Sequence, residues 1–153
     1  MTWYYIAAIL LAFLGMEIIA WFVHKYIMHG FLWGIHRDHH TREHAPLEWN
    51  DIFATIFAVP SILLISLNIP EFNINFYLGI GILVYGLTYF FLHDILVHDR
   101  IPLGIMKRFD NRYFRKIRAA HDVHHHDGAN YGFVFLFDWG EEGVGPGEHS
   151  HEH

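Results

Sequence analysis

Three long stretches with almost no charge restrict what this chain can fold into: residues 3–23, 52–69 and 74–92. The first carries only Glu17, and the other two carry no charged side chain. At about 1.5 Å per residue each would form a helix roughly 27–32 Å long, enough to cross a bilayer core. The expectation is an all-α integral membrane bundle with three long transmembrane helices, the second kinked but not broken by Pro60. A cleaved signal peptide is the rival reading for residues 3–23. No basic residue precedes that stretch, and cleavage would part Glu17 from the histidines that follow, so it reads as a retained anchor.

Ten of the fifteen histidines fall into four clusters: His24/His29, His36/His39/His40, His93/His98 and His121/His124/His125. The spacing H-x-x-x-x-H followed by H-x-x-H-H therefore occurs twice, although chance would supply one such triple only about 0.15 times in a chain of this composition. Imidazole suits Fe, Cu, Ni and Zn, and the chain has no cysteine to supply thiolate. Ten candidate nitrogens exceed the three or four that one tetrahedral zinc would use, so two metals sharing the set is the economical reading. The competing readings are idle interfacial histidines and a structural zinc site. Doubled spacing argues against the first of these.

Counting crossings places all four clusters at one membrane face. The first pair and triple follow helix 1, helix 2 leaves that side, and helix 3 returns the chain before His93. Lys25, Arg37, Arg42, Arg100, Lys107, Arg108, Arg112, Arg115, Lys116 and Arg118 all lie on that face, which makes it cytoplasmic by the positive-inside rule. The formal net charge of −6 hides this basic surface because the tail is acidic.

Residues three and four apart share a helix face, so each triple is expected to converge and clasp metal from one helix. Residues five apart stand about 140° around an α-helix, so each pair either ends its helix or addresses two metals. Gly30 and Pro102 suit such ends. Carboxylates that would take the second imidazole proton are Glu17, Asp94, Glu43 and Asp51, with Asp38 and Asp122 as weaker candidates. Residues 103–120 read as an amphipathic interfacial helix with Ile105, Phe109, Tyr113 and Ile117 on one face and basic residues around them. Gly79 and Gly81 read as helix packing, not a nucleotide loop. Residues 1–138 form a single membrane-embedded domain on this reading. The acidic, His- and Gly-rich tail, 139–153, is expected to be disordered.

These residues resemble the bacterial β-carotene hydroxylases, within the fatty acid hydroxylase and sterol desaturase superfamily of membrane di-iron proteins. The likeness runs over roughly residues 15–125. It rests on Gly15-Met16-Glu17 leading to His24-Lys25-Tyr26-Ile27-Met28-His29-Gly30, on Trp33, His36, His39 and His40, and on Glu48-Trp49-Asn50-Asp51-Ile52-Phe53-Ala54. Tyr85-Gly86-Leu87, Tyr89-Phe90, His93-Asp94, Leu96-Val97-His98, Arg100 and Pro102 follow, then Ala120-His121 and His124-His125. After His125 the likeness is loose. The resemblance implies ligation of two irons by the ten motif histidines and hydroxylation at C3 of β-ionone rings, giving zeaxanthin through β-cryptoxanthin.

A ring C–H bond is unactivated, so the chemistry needs O₂ and a redox metal; zinc found in a structure would occupy iron positions. No flavin or dinucleotide fingerprint is present, so electrons are expected from an external, ferredoxin-like donor at the basic face. A carotenoid would enter laterally from the lipid membrane. No nucleic-acid partner is expected, and the oligomeric state stays open. The alternatives are a fatty acyl or sterol hydroxylase or desaturase, a carotenoid ketolase, and a His-rich membrane metal transporter or sensor. The last is disfavoured because transporters place ligands near the bilayer midplane, whereas these clusters share one face.

Overall fold

Long apolar runs of good helix formers, broken by Gly, Asn and Pro at their ends, fold into helices; the described residues contain no strand. The structure, a computed structural model, describes residues 3–41, 47–101 and 111–137. Its elements are α1 (Trp3–Phe22), α2 (Trp33–Thr41), α3 (Asp51–Ser66), α4 (Ile74–Tyr89) and α5 (Arg112–Asp127). Two π-helical segments extend them, Val23–Phe31 after α1 and Phe90–Val97 after α4.

α1 and α4 both run towards the histidines, and α3 starts beside them and runs away. α4 packs against α1 on one side and α3 on the other. Gly81 makes the first contact close, since a Cβ there would lie 2.5 Å from the Ile9 carbonyl oxygen. Gly79 does the same against α3, where a Cβ would stand 2.9 Å from Leu64, and the Ser61 hydroxyl donates to the Gly79 carbonyl at 2.9 Å. These two glycines serve packing, as their place in an apolar run implies.

Among the described residues two helices, not three, have the length and apolarity to cross a membrane: Trp3–Phe31 with 29 residues and Ile74–Val97 with 24. The expected third span is apolar but stops at Ser66 after 16 residues, about 24 Å, short of a hydrocarbon core of about 30 Å. Leu67 to Glu71 form a turn where the sequence reading had continued the helix. Side-chain exposure tells a bilayer helix from a core helix. Leu10, Leu11 and Ile18 are 56 %, 68 % and 58 % exposed, so α1 presents an unbroken apolar flank with nothing covering it. Water does not tolerate such a surface at this scale, and lipid does. The chain is a membrane protein.

α5 is capped at both ends. The Asn111 side chain accepts from the Phe114 N–H at 3.0 Å, and Gly128, at φ 66°, donates to the His124 carbonyl at 3.1 Å. Its buried side, Ile117, Ala120, His121 and His124, faces the bundle, while Arg112 and Arg115 are exposed. The helix begins at Arg112, and the earlier half of the expected 103–120 segment, with Ile105 and Phe109, lies outside the described residues. So do Glu43 and the tail 139–153.

Residues 129–137 form no regular element yet contain buried Phe133, Val134 and Phe137. Their backbone polarity is met by one fully buried carboxylate: Glu17 Oε1 accepts from the N–H groups of Phe133, Val134, Phe135 and Leu136 at 2.9–3.0 Å. The Tyr85 hydroxyl donates to Glu17 Oε2 at 2.6 Å. An irregular backbone among apolar helices needs such satisfaction. Glu17 was expected to hold a histidine; it holds this segment instead.

Candidate metal centre

The histidines converge where the two long helices end. His24, His29, His36, His40 and His124 form one group, and His39, His93, His98 and His121 a second; within each, one nitrogen per ring lies within 4.8 Å of all the others. His125 packs against both, with ring centroids 4.3 Å from His40 and 4.4 Å from His121. All ten clustered histidines thus meet in one region.

The pairs end their helices, one of the two outcomes expected of them, with His29 before the break at Gly30 and His98 as a C-cap. The triples do not each converge on one group, and both outcomes follow from helical winding. In an α-helix His24 and His29 would point about 140° apart. The π-helical segments close i to i+5 bonds, as the His98 N–H donating to the His93 carbonyl at 3.0 Å shows, and this wider turn aligns residues five apart. Each pair therefore lies wholly within one group. The triples divide instead: His36 and His40 face the first group and His39 the second, while His124 faces the first and His121 the second. α2 and α5 bridge the two groups. Gly30, at φ −98° and ψ −122°, breaks the helical path so that α2 can fold back beside His29.

Partners at Nδ1 fix which nitrogen carries the proton. His24 Nδ1 donates to the Tyr131 carbonyl at 2.9 Å, His36 Nδ1 to Asn50 Oδ1 at 2.7 Å and His124 Nδ1 to the Ala129 carbonyl at 2.7 Å. A carbonyl oxygen only accepts, so in these neutral rings Nε2 holds a bare lone pair. Those lone pairs face one another. His24 and His36 Nε2 are 3.2 Å apart, His36 and His29 3.2 Å, His36 and His40 3.1 Å, and His29 and His124 3.1 Å. The His24–His36 contact joins two acceptors and has no proton to share.

Two nitrogens bound about 2.1 Å from one ion stand about 3.0–3.4 Å apart at tetrahedral or octahedral angles, which matches these separations. In the second group His39 Nδ1 donates to Glu48 Oε2 at 2.9 Å, leaving its buried Nε2 without a partner; His125 Nε2 is likewise buried and unpartnered. His121 and His98 Nε2 approach to 2.8 Å. Burial, reinforced by neighbouring imidazoles, pushes His36 and His39 down to about 3 and His40 to about 2. It holds His124 at about 4. Neutral, buried and converging imidazoles are what a cation requires of a ligand set. The residues fit metal binding.

The carboxylates expected around this set play mixed parts. Asp94 Oδ1 lies 3.4 Å from His93 Nδ1 and accepts from Arg100 at 2.9 Å. Asp51 takes both Arg100 nitrogens at 2.8 Å and the Glu48 N–H. Asp38 Oδ2 accepts from the Trp49 N–H at 2.7 Å. Glu48, Asn50 and the carbonyls of Ala129 and Tyr131 hold imidazoles and were missed. Asn50, directly before α3, carries the usual signal of a helix cap, yet its side chain makes no cap bond and turns to His36.

A helical membrane chain with two histidine groups at the ends of its long helices defines a class, an integral membrane protein whose clustered imidazoles are compatible with metal binding. The fatty acid hydroxylase family profile matches residues 9–141, and the chain belongs to that family. It is 42 % identical over 126 residues to the β-carotene hydroxylase of Pantoea ananas, covering 82 % of this chain and 71 % of that one. The Paracoccus sp. (strain PC1) β-carotene hydroxylase is 42 % identical over 113 residues, 73 % of this chain and 68 % of that one. The chloroplastic β-carotene 3-hydroxylase of Gentiana lutea is 44 % identical over 134 residues, 82 % of this chain. This chain spans only 40 % of that plant protein's length. No solved structure matches.

Proposed function

We propose that this protein is a membrane di-iron monooxygenase that hydroxylates C3 of carotenoid β-ionone rings, taking β-carotene through β-cryptoxanthin to zeaxanthin. The observation that carries the reading is the pair of converging imidazole sets, in a chain 42 % identical to two bacterial β-carotene hydroxylases. Two irons held by these sets would supply the redox chemistry for inserting oxygen into an unactivated C–H bond. The overall change is C–H plus O₂, two electrons and two protons to C–OH plus water. The chain's own work is to aim ten imidazoles inward, to keep the site dry with Phe133 and Tyr89, and to face the bilayer where a carotenoid dissolves.

Electrons come from a ferredoxin-like donor at the basic cytoplasmic face of a bacterial inner membrane, drawn to Arg112, Arg115 and Lys116. Exchanging these three for Glu should slow donor-supported turnover several-fold with iron retained; an unchanged rate removes the donor surface. The activity itself is tested by pigment chromatography on β-carotene-producing cells expressing the chain, His39→Ala or His124→Ala. Zeaxanthin from the parent and at least a hundredfold less from either variant is expected. β-Carotene left untouched by iron-loaded parent, with an electron donor present, would turn the reading to the acyl substrates that the family's description names.

A further inference from the structure

A cavity of about 300 Å³ lies between α3 and α4, with α1 and Phe133 closing its inner side. Its rim includes Ile62 and Leu87, 60 % and 61 % exposed on the apolar flank, so it opens sideways into the bilayer. Its inner end is built from Phe133, Tyr89 and Asp94. Phe133 stacks on His24 with centroids 4.7 Å apart, and Tyr89 stacks on His93 at 4.7 Å, so that end lies one aromatic ring from both histidine groups.

The wall says what can occupy this space. Three of its polar side chains are already engaged: Ser61 donates to the Gly79 carbonyl, Tyr85 to Glu17, and Asp94 accepts from Arg100. Nothing charged is left to receive a phosphate, a carboxylate or an ester head, and apart from Gly86 and the Tyr89 phenol the remainder is Met, Ala, Phe, Ile and Leu. The volume sits at the lower end of the roughly 300–1,000 Å³ of small-molecule sites, suited to one ring end and not to a long polyene. Gly86 borders the open space, and a Cβ there would meet nothing within 4 Å.

We infer that this cavity seats the ring end of a hydrocarbon without a polar head, drawn from the bilayer, and that Gly86 sets the width available to it. The inference rests on the proposed carotenoid activity and adds the seat and its width-determining residue. A larger side chain at 86 sits in a helix interior, where glycine is the less favourable residue, so it fills the cavity without straining α4.

The test is a graded series, Gly86→Ala, Gly86→Leu and Gly86→Phe, with Ala58→Phe at the exposed rim as a variant that disturbs no packing. Each is expressed in β-carotene-producing cells, and both hydroxylated product and iron per purified chain are measured. Product should fall progressively with side-chain volume, at least tenfold for Gly86→Phe and several-fold for Ala58→Phe, while iron content stays at the parent value. Parent-level product from Gly86→Leu and Ala58→Phe with iron retained overturns the seat and leaves the activity standing. A parent that carries iron and makes no hydroxylated carotenoid overturns the activity, and with it the occupant assigned here.

Discussion

The two histidine groups are built from one residue type but backed differently. In the first, three rings donate Nδ1–H to neutral oxygens: Tyr131 O, Ala129 O and Asn50 Oδ1. In the second, His39 donates to the Glu48 carboxylate at 2.9 Å and His93 lies 3.4 Å from Asp94. A carboxylate behind an imidazole makes it a stronger electron donor than a carbonyl does. Two metals held here would therefore be inequivalent, the second in the more electron-rich setting, although α2 and α5 contribute to both.

The largest effect should erase this difference. His36 and His40 of the first group and His39 of the second are all pushed down by burial, to about 3, 2 and 3. A histidine with a depressed folded-state value contributes its full stability above the unfolded value of about 6.5, and loses it as pH falls, because only the unfolded chain then takes up the proton. Each such ring contributes a slope approaching about 1.4 kcal/mol per pH unit once pH is below about 6.5. Metal-free protein in detergent should thus lose several kcal/mol between pH 7 and pH 5, with both groups opening together. A flat thermal-unfolding profile across that range would show that the rings are not buried as neutral bases.

Glu48→Gln tests the difference itself. The amide keeps an acceptor for His39 but removes the charge, so the second group comes to resemble the first. Loss of a carboxylate behind a ligand costs about 10–100-fold in metal affinity or activity. Chelator competition should show that loss for one of two irons, and Mössbauer spectra should show one site changed. Asn50→Leu, which strips the acceptor from His36, should move the other site. If both substitutions shift the same iron, the two groups do not act as separate sites.

How far the sequence foretold this arrangement differs between ligands and supports. Ten imidazoles at repeated spacing are visible in one dimension because H-x-x-x-x-H and H-x-x-H-H are local patterns. Their division was not, because α-helical arithmetic puts His24 and His29 on different faces, whereas π winding, a response to packing, aligns them. Glu43, four residues from His39, is a candidate partner by helical spacing and lies outside the described residues; Glu48, beyond the end of α2, accepts from His39, and no helical spacing points to it. The third span fell short because no periodicity marks where an apolar run turns, and the chain leaves α3 at Ser66 inside one. Residues 129–137 carry no regular pattern at all, and their contribution, carbonyls to His24 and His124 and the Phe133 wall, is made by backbone that Glu17 holds in place.

That last support yields the smallest prediction and one that separates the groups. Tyr85→Phe removes a single hydrogen bond to Glu17 and keeps the ring in the core; the four backbone bonds to Oε1 remain. A bond of this kind is worth about 1–2 kcal/mol, so thermal unfolding in detergent should fall by a few degrees. Loosening this clamp relaxes the segment that supplies Tyr131 and Ala129, both acceptors for the first group, whereas Glu48 and Asp94 belong to other elements. Iron should therefore dissociate slightly faster from the first group and at the parent rate from the second. Equal acceleration at both would mean that the segment supports the whole cage and that the two groups share one scaffold.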